Sequence, residues 1–252
     1  MPSAPETLEG WYALHDLRKV DWEAWKRLSP GQRDDAVKEA VAFFTSCQKV
    51  EDSPEGSSAI YSVLGHKGDL LILHFRPTLR DLRDLELAFD KTRLAGVTRQ
   101  TTSFVSVVEL SRHGEGARGG ETASPETQAY LQRRLKPRIP DTSHICFYPM
   151  NKKREGEDNW FMLPPERRAE LMAAHGATGR KYAGLVTQVI TGAMGLDDWE
   201  WGVTLFADDP LQFKKLVYEM RFDEVSARYA VFGPFYVGLR LQPEDLPEYL
   251  GV

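Results

Sequence analysis

The chain has 252 residues, a formal net charge of -5 and a pI of about 5.8, with 42% hydrophobic and 27% charged residues. That is a globular composition with enough apolar side chain for a real core. The mild acidity argues against a general nucleic-acid binder, which needs a basic face for the phosphate backbone. No apolar run approaches the roughly 20 residues of a membrane span, and the first ten residues lack the basic-then-apolar pattern of a signal peptide. Cys47 and Cys146 form neither a CxxC pair nor a disulfide framework and read as two buried thiols of a reducing, cytoplasmic compartment.

The first alternating run, Leu8 to His15, predicts a strand. Ser29-Pro30 reads as the N-cap and first position of a helix that carries Val37, Ala40, Val41 and Phe44 at helical spacing. Two strand-like runs, 58–64 and 69–75, flank the turn Gly65-His66-Lys67-Gly68. A helix over about 78–94 has Leu82, Leu85 and Phe89 on one stripe. A β-branched strand covers 101–110.

The segment 111–124 holds Gly114, Gly116, Gly119 and Gly120 and little that could enter a core; it reads as a linker. The second part repeats the order. A strand covers 143–150, and Pro164-Pro165-Glu166 opens a helix that Gly176 is expected to end. Strands follow at 186–191 and 199–206, then a helix at 211–220 and a closing strand at 232–241. Each half, 1–110 and 125–252, thus reads β-α-β-β-α-β, the ferredoxin-like order of an α+β protein.

Six histidines show no HxH, HExxH or Cys/His grouping, so a zinc site has no support. His15, His66 and His113 sit near turns and read as solvated, whereas His74 and His144 lie in strands. His175 ends the helix opened at Pro164. Alone, a helix-terminal histidine is usually just favourable with the dipole; the functional alternative is an axial iron ligand. Tyr148 closes an apolar strand and is followed by Lys152-Lys153-Arg154. A phenol beside lysine and arginine suits a carboxylate-bearing ligand, although a charge run is more often a solvated face. Arg133, Arg134, Lys136 and Arg138 form a second basic cluster. Gln188, in an apolar strand, faces either solvent or a cavity.

Several segments together resemble the coproheme decarboxylases of the chlorite dismutase-like family. They are Phe147-Tyr148-Pro149-Met150-Asn151-Lys152-Lys153-Arg154, Asn159-Trp160-Phe161-Met162-Leu163-Pro164, His175-Gly176-Ala177-Thr178-Gly179-Arg180-Lys181-Tyr182, Thr187-Gln188-Val189-Ile190-Thr191-Gly192, the run from Asp197 to Phe206, and the run from Lys214 to Tyr229. Each motif alone is weak; their order and spacing are specific, and they lie in the second half.

The resemblance implies two ferredoxin-like halves forming a dimeric α+β barrel type subunit, assembled as a homopentamer. It implies hydrogen peroxide-dependent oxidative decarboxylation of two propionates of Fe-coproporphyrin III (coproheme) to the vinyl groups of haem b, through a radical at Tyr148. Coproheme is then both substrate and redox centre. His175 matches the axial iron ligand and Gln188 the distal glutamine. Arg134, Lys152, Ser226 and Tyr148 match propionate-binding positions, and Met150 and Arg221 are family-like residues near the pocket. Transient contact with coproporphyrin ferrochelatase is a further implication. Chlorite dismutases resemble the chain as well but carry a distal arginine where Gln188 stands. A haem b-containing chlorite dismutase or peroxidase is therefore the alternative, and a non-enzymatic haem carrier a third.

Overall fold

The computed structural model of the chain describes residues 4–111 and 124–251. In chain order, β1 (Thr7–Val20) leads to α1 (Trp22–Arg27) and α2 (Pro30–Lys49). Then come β2 (Ser57–Val63), β3 (Leu70–Arg76), α3 (Leu79–Asp90) and β4 (Thr98–Ser111). The Gly-rich linker read at 111–124 lies outside the described residues except for its ends: Ser111 closes β4 and Ser124 caps the next helix. That helix is α4 (Pro125–Leu135), followed by β5 (His144–Lys152) and a small hairpin of β6 (Arg154–Glu155) and β7 (Asp158–Asn159). The rest is α5 (Pro165–Arg180), β8 (Thr187–Gly192), β9 (Trp201–Ala207), α6 (Leu211–Met220), α7 (Glu224–Tyr229), β10 (Ala230–Phe232), β11 (Tyr236–Leu241) and α8 (Leu246–Leu250). The expected α+β class is observed, with the order strand-helix-strand-strand-helix-strand occurring twice.

Local chemistry accounts for the boundaries. Ser29 and Gln32 form a reciprocal capping box that starts α2, and Thr78 with Asp81 does the same for α3. Pro165 takes the first position of α5, where a missing N–H costs nothing. Gly176 does not end α5: the helix runs on to Arg180. Gly179 packs closely against the next helix: a Cβ there would lie 3.3 Å from Met220 Cε of α6. The closing strand expected at 232–241 is broken into β10 and β11 at Gly233-Pro234-Phe235. Proline has no N–H for a ladder, and Gly233 instead donates to Pro149 O at 2.9 Å.

The chain divides into two compact units. One comprises Trp11–Val105, Pro137–Asp141 and Tyr236–Val252. Within it β11, β2, β3 and β1 pair antiparallel in that order. Ala36, Val37, Ala40 and Phe44 of α2 pack on Ile60, Leu70 and Ile72 of the sheet and on Phe89 of α3. Fully burying each of the larger side chains, from valine to phenylalanine, stabilises the fold by about 1.5–3 kcal/mol. Arg76 is also fully buried, and its guanidinium grips Asp52 with two bonds of 2.7 and 2.8 Å. His15 is not solvated as expected: it is fully buried in β1, because that strand extends five residues beyond it to Val20.

The other unit comprises Met1–Gly10, Ser106–Lys136 and Thr142–Phe235. Its strands run β10-β5-β9-β8-β4, again antiparallel. Trp160, Leu171, Val225 and Tyr229 form a separate apolar cluster joining α5, α7 and the segment after β7. Among the described residues, no helix is long and apolar enough to cross a membrane.

Candidate functional site

All eight residues singled out by the sequence fall in the second unit. Strand register decides which of them share a face. Tyr148 of β5 pairs with Val203 of β9, which pairs with Ile190 of β8. The neighbouring rows on the same face are Cys146–Leu205–Gln188 and Met150–Trp201–Gly192. Directly paired residues point to the same side and alternate residues return to it. Tyr148, Met150, Lys152 and Gln188 therefore lie on one face. Two strand spacings and one row separate Tyr148 from Gln188, roughly 12 Å between Cα atoms.

Tyr148 is buried at 8% exposure in the middle of β5. Its ring stacks on Phe235 (centroids 4.3 Å apart, planes at 24°) and meets Phe232 at 5.9 Å. Arg221 lies over the Phe232 ring at 3.5 Å, so the order is Arg221, Phe232, Tyr148, Phe235. Burial holds the phenol above the ordinary tyrosine range, with Cys146 adding to the rise and Arg221 opposing it. The phenol is therefore neutral at physiological pH.

His175 lies within α5, one turn before its end. Its Nδ1 meets both Asp223 carboxylate oxygens at 3.1 Å. Asp223 also caps α7, accepting from Ser226 N at 3.0 Å and from Ser226 Oγ at 3.3 Å. Burial works against ionisation of Asp223, but the bonds from His175 and Ser226 hold its carboxyl below the usual range. The imidazole, a quarter exposed, is oriented by a carboxylate through Nδ1, and Nε2 is the nitrogen left for a ligand.

Lys152 connects these groups. Its backbone N–H donates to Glu200 at 2.7 Å, and Glu200 also pairs with Arg154. Its ammonium sits over the Trp160 ring at 4.6 Å. Burial pushes its pKa down to about 8, against the pull of Asp223. Gln188 is exposed, as is Arg134, whose Nη1 donates to Tyr130 Oη at 2.9 Å on α4. Among the described residues, no hydrogen bond, ion pair or ring contact joins Arg134 to the other seven. Met150 is half-buried beside Phe232, its partner in the ladder. The structure thus groups Tyr148, Met150 and Arg221 around Phe232, and His175, Lys152 and Ser226 around Asp223.

Sequence reasoning missed Asp223 and Phe235. The run Asp223-Glu224-Val225-Ser226 carries an N-cap signal, but its bond to a histidine 48 residues away is tertiary. Nothing in the local sequence marks Phe235. Among the described residues, no group of three or more His, Cys, Asp or Glu could hold a bare metal ion.

Comparison with known proteins places the chain in a family. A solved structure described as a haem-binding protein from Thermus thermophilus is 50% identical, over 100% of this chain and 99% of that one, with a TM-score of 0.92. A chlorite dismutase from Candidatus Nitrospira defluvii shares the fold at 20% identity, over 97% of this chain and 96% of that one, with a TM-score of 0.78. The family model described as chlorite dismutase matches residues 33–241. With most of its length matched, from α2 to the end of β11, the chain belongs to the chlorite dismutase family.

Proposed function

We propose that this protein binds coproheme against the Tyr148–Gln188 face and, with hydrogen peroxide, converts two of its propionates to the vinyl groups of haem b. The observation that carries the reading is the placement in one unit of a buried neutral phenol, a glutamine on the same sheet face and an imidazole tethered by a carboxylate. The 50% identical relative is described as haem-binding, which supports an iron porphyrin as ligand. The donor set suits it: one neutral imidazole nitrogen is a standard haem ligand, and no cluster of His, Cys, Asp or Glu among the described residues forms a competing bare-metal site.

The substrate's own iron supplies the redox chemistry with peroxide. His175 orients the substrate through Nε2. Tyr148, as a neutral radical, takes one hydrogen from the β-carbon of a propionate and becomes a phenol again. The carboxylate leaves as CO₂, the remaining electron goes to the oxidant, and a vinyl group remains. Per propionate, one peroxide and one proton are consumed, and one CO₂ and two waters are released. Lys152 and Arg134 meet carboxylates of the substrate. The Ser226 hydroxyl donates to Asp223, so it meets a propionate only by turning away from that bond. Glutamine at 188 lacks the charge of the distal arginine of chlorite dismutases, which favours decarboxylation over chlorite chemistry.

The test is to mix the protein with ferric coproheme, titrate peroxide and follow product masses. Loss of two carboxyl groups is expected, with Tyr148→Phe binding coproheme but failing to convert it. Vinyl formation by Tyr148→Phe refutes the radical role. Unchanged coproheme together with sustained oxygen release from chlorite refutes the assignment.

A further inference from the structure

The Tyr148 ring is held by aromatic packing. Phe235 covers one face at 4.3 Å, closer than the usual lower limit for ring centroids, and Phe232 meets it at 5.9 Å. Phe235 is delivered by the three-residue connection between β10 and β11. That connection lies down on β5: Gly233 N donates to Pro149 O at 2.9 Å. A Cβ on Gly233 would come within 2.8 Å of Pro149 Cγ and 3.0 Å of the Trp199 ring. Only glycine lets the connection approach β5 so closely, one residue from Tyr148. Pro234 stiffens the step that follows.

We propose that Phe235 is a positioning residue for Tyr148: its stacked ring fixes the plane of the phenol and the direction in which the hydroxyl meets the substrate. The inference rests on the reading of Tyr148 as the reacting group. A hydrocarbon ring suits the task, because it packs without offering an O–H or N–H that a tyrosyl radical could attack. Hydrogen transfer requires the phenol oxygen against one carbon of the substrate, and a displacement of about 1 Å is enough to slow such a step by about 100-fold.

Two variants test this. Phe235→Leu removes the stack and keeps apolar volume; Gly233→Ala lifts the connection off β5. Both are expected to slow decarboxylation by about 10- to 100-fold while coproheme affinity stays within about threefold. Turnover equal to wild type, or affinity falling in step with turnover, overturns the proposal. A second readout needs no porphyrin. Ultraviolet tyrosinate titration of the ligand-free protein, with and without Tyr148→Phe, isolates the Tyr148 phenol. In Phe235→Leu its ionisation should fall toward the ordinary tyrosine range as water reaches the ring. An unchanged titration overturns the positioning role even if the protein decarboxylates coproheme. A protein that proves inactive on coproheme while the titration shifts leaves Phe235 fixing the phenol and sinks only the substrate assignment.

Discussion

Asp223 has two roles that substitution can separate. It accepts from His175 Nδ1 at 3.1 Å, and it caps α7 through Ser226 N at 3.0 Å. Asparagine caps a helix about as well as aspartate, so Asp223→Asn keeps the start of α7 and removes the charge beside the imidazole. Asp223→Ala removes both. Partners that orient a metal-bound histidine are typically worth 10- to 100-fold in affinity, or about 1.4–2.7 kcal/mol. Asp223→Asn should therefore weaken ferric coproheme binding by about that factor. Asp223→Ala should lose about 1 kcal/mol more of stability through the missing cap, a further fall in melting temperature of about 2–4 °C for a chain of this size. Soret titration gives the affinity, and resonance Raman gives the iron–imidazole stretch, which should drop as the imidazole becomes less basic. Wild-type affinity and stretch in Asp223→Asn would reduce Asp223 to a cap. Equal melting temperatures for the two variants would refute the cap.

Three other outcomes follow from the geometry. His15 and His74 are buried, and burial pushes each down to about 3. Their folded pKa values lie below the unfolded value of about 6.5, so the stability they contribute is complete above that pH and lost as pH falls toward 3. At pH 5 the loss is about 2 kcal/mol per histidine, and a denaturation midpoint that does not move between pH 7.5 and 5 would contradict it. Lys152 loses its charge as pH rises through about 8; coproheme affinity should fall across that range, and Lys152→Ala should bind about tenfold more weakly and show no such step. Gln188→Ala should alter the rate of peroxide or cyanide binding to the coproheme complex more than coproheme affinity; the reverse pattern would make Gln188 a substrate anchor.

Much of the fold is legible in the sequence because its signals are local. The capping residues Ser29 and Thr78, the stripe Leu82, Leu85 and Phe89, and the apolar run in β5 all act within a few residues. Gly176 misled because a glycine ends a helix only where the backbone turns left-handed, and here α5 carries on through it to Arg180. His15 misled because the strand continues past it, and its burial depends on neighbours far away in sequence. The site divides in the same way. Tyr148, His175 and Gln188 stand out through resemblance, but that Tyr148 and Gln188 share a face follows only from the register of β5, β9 and β8. Asp223 and Phe235 act through contacts with distant residues, and no window of sequence contains them.

The burial of the site residues suits a substrate that must be gripped and then released. Tyr148 sits deep in a central strand where its position is over-determined, whereas Gln188 and Arg134 are exposed. An exposed arginine contributes little to affinity, on the order of 1 kcal/mol or less. In the proposed complex the stronger electrostatic contact is the half-buried Lys152, whose ammonium has Trp160 and Asp223 to return to once a carboxylate is gone. On the proposed reaction, coproheme enters with four carboxylates and leaves with two. A charge-assisted bond to a partly buried ammonium contributes about 1.5–3 kcal/mol, so losing one such contact weakens the product by one to two powers of ten. Decarboxylation would then lower the affinity for its own product, and release would need no separate opening of the protein.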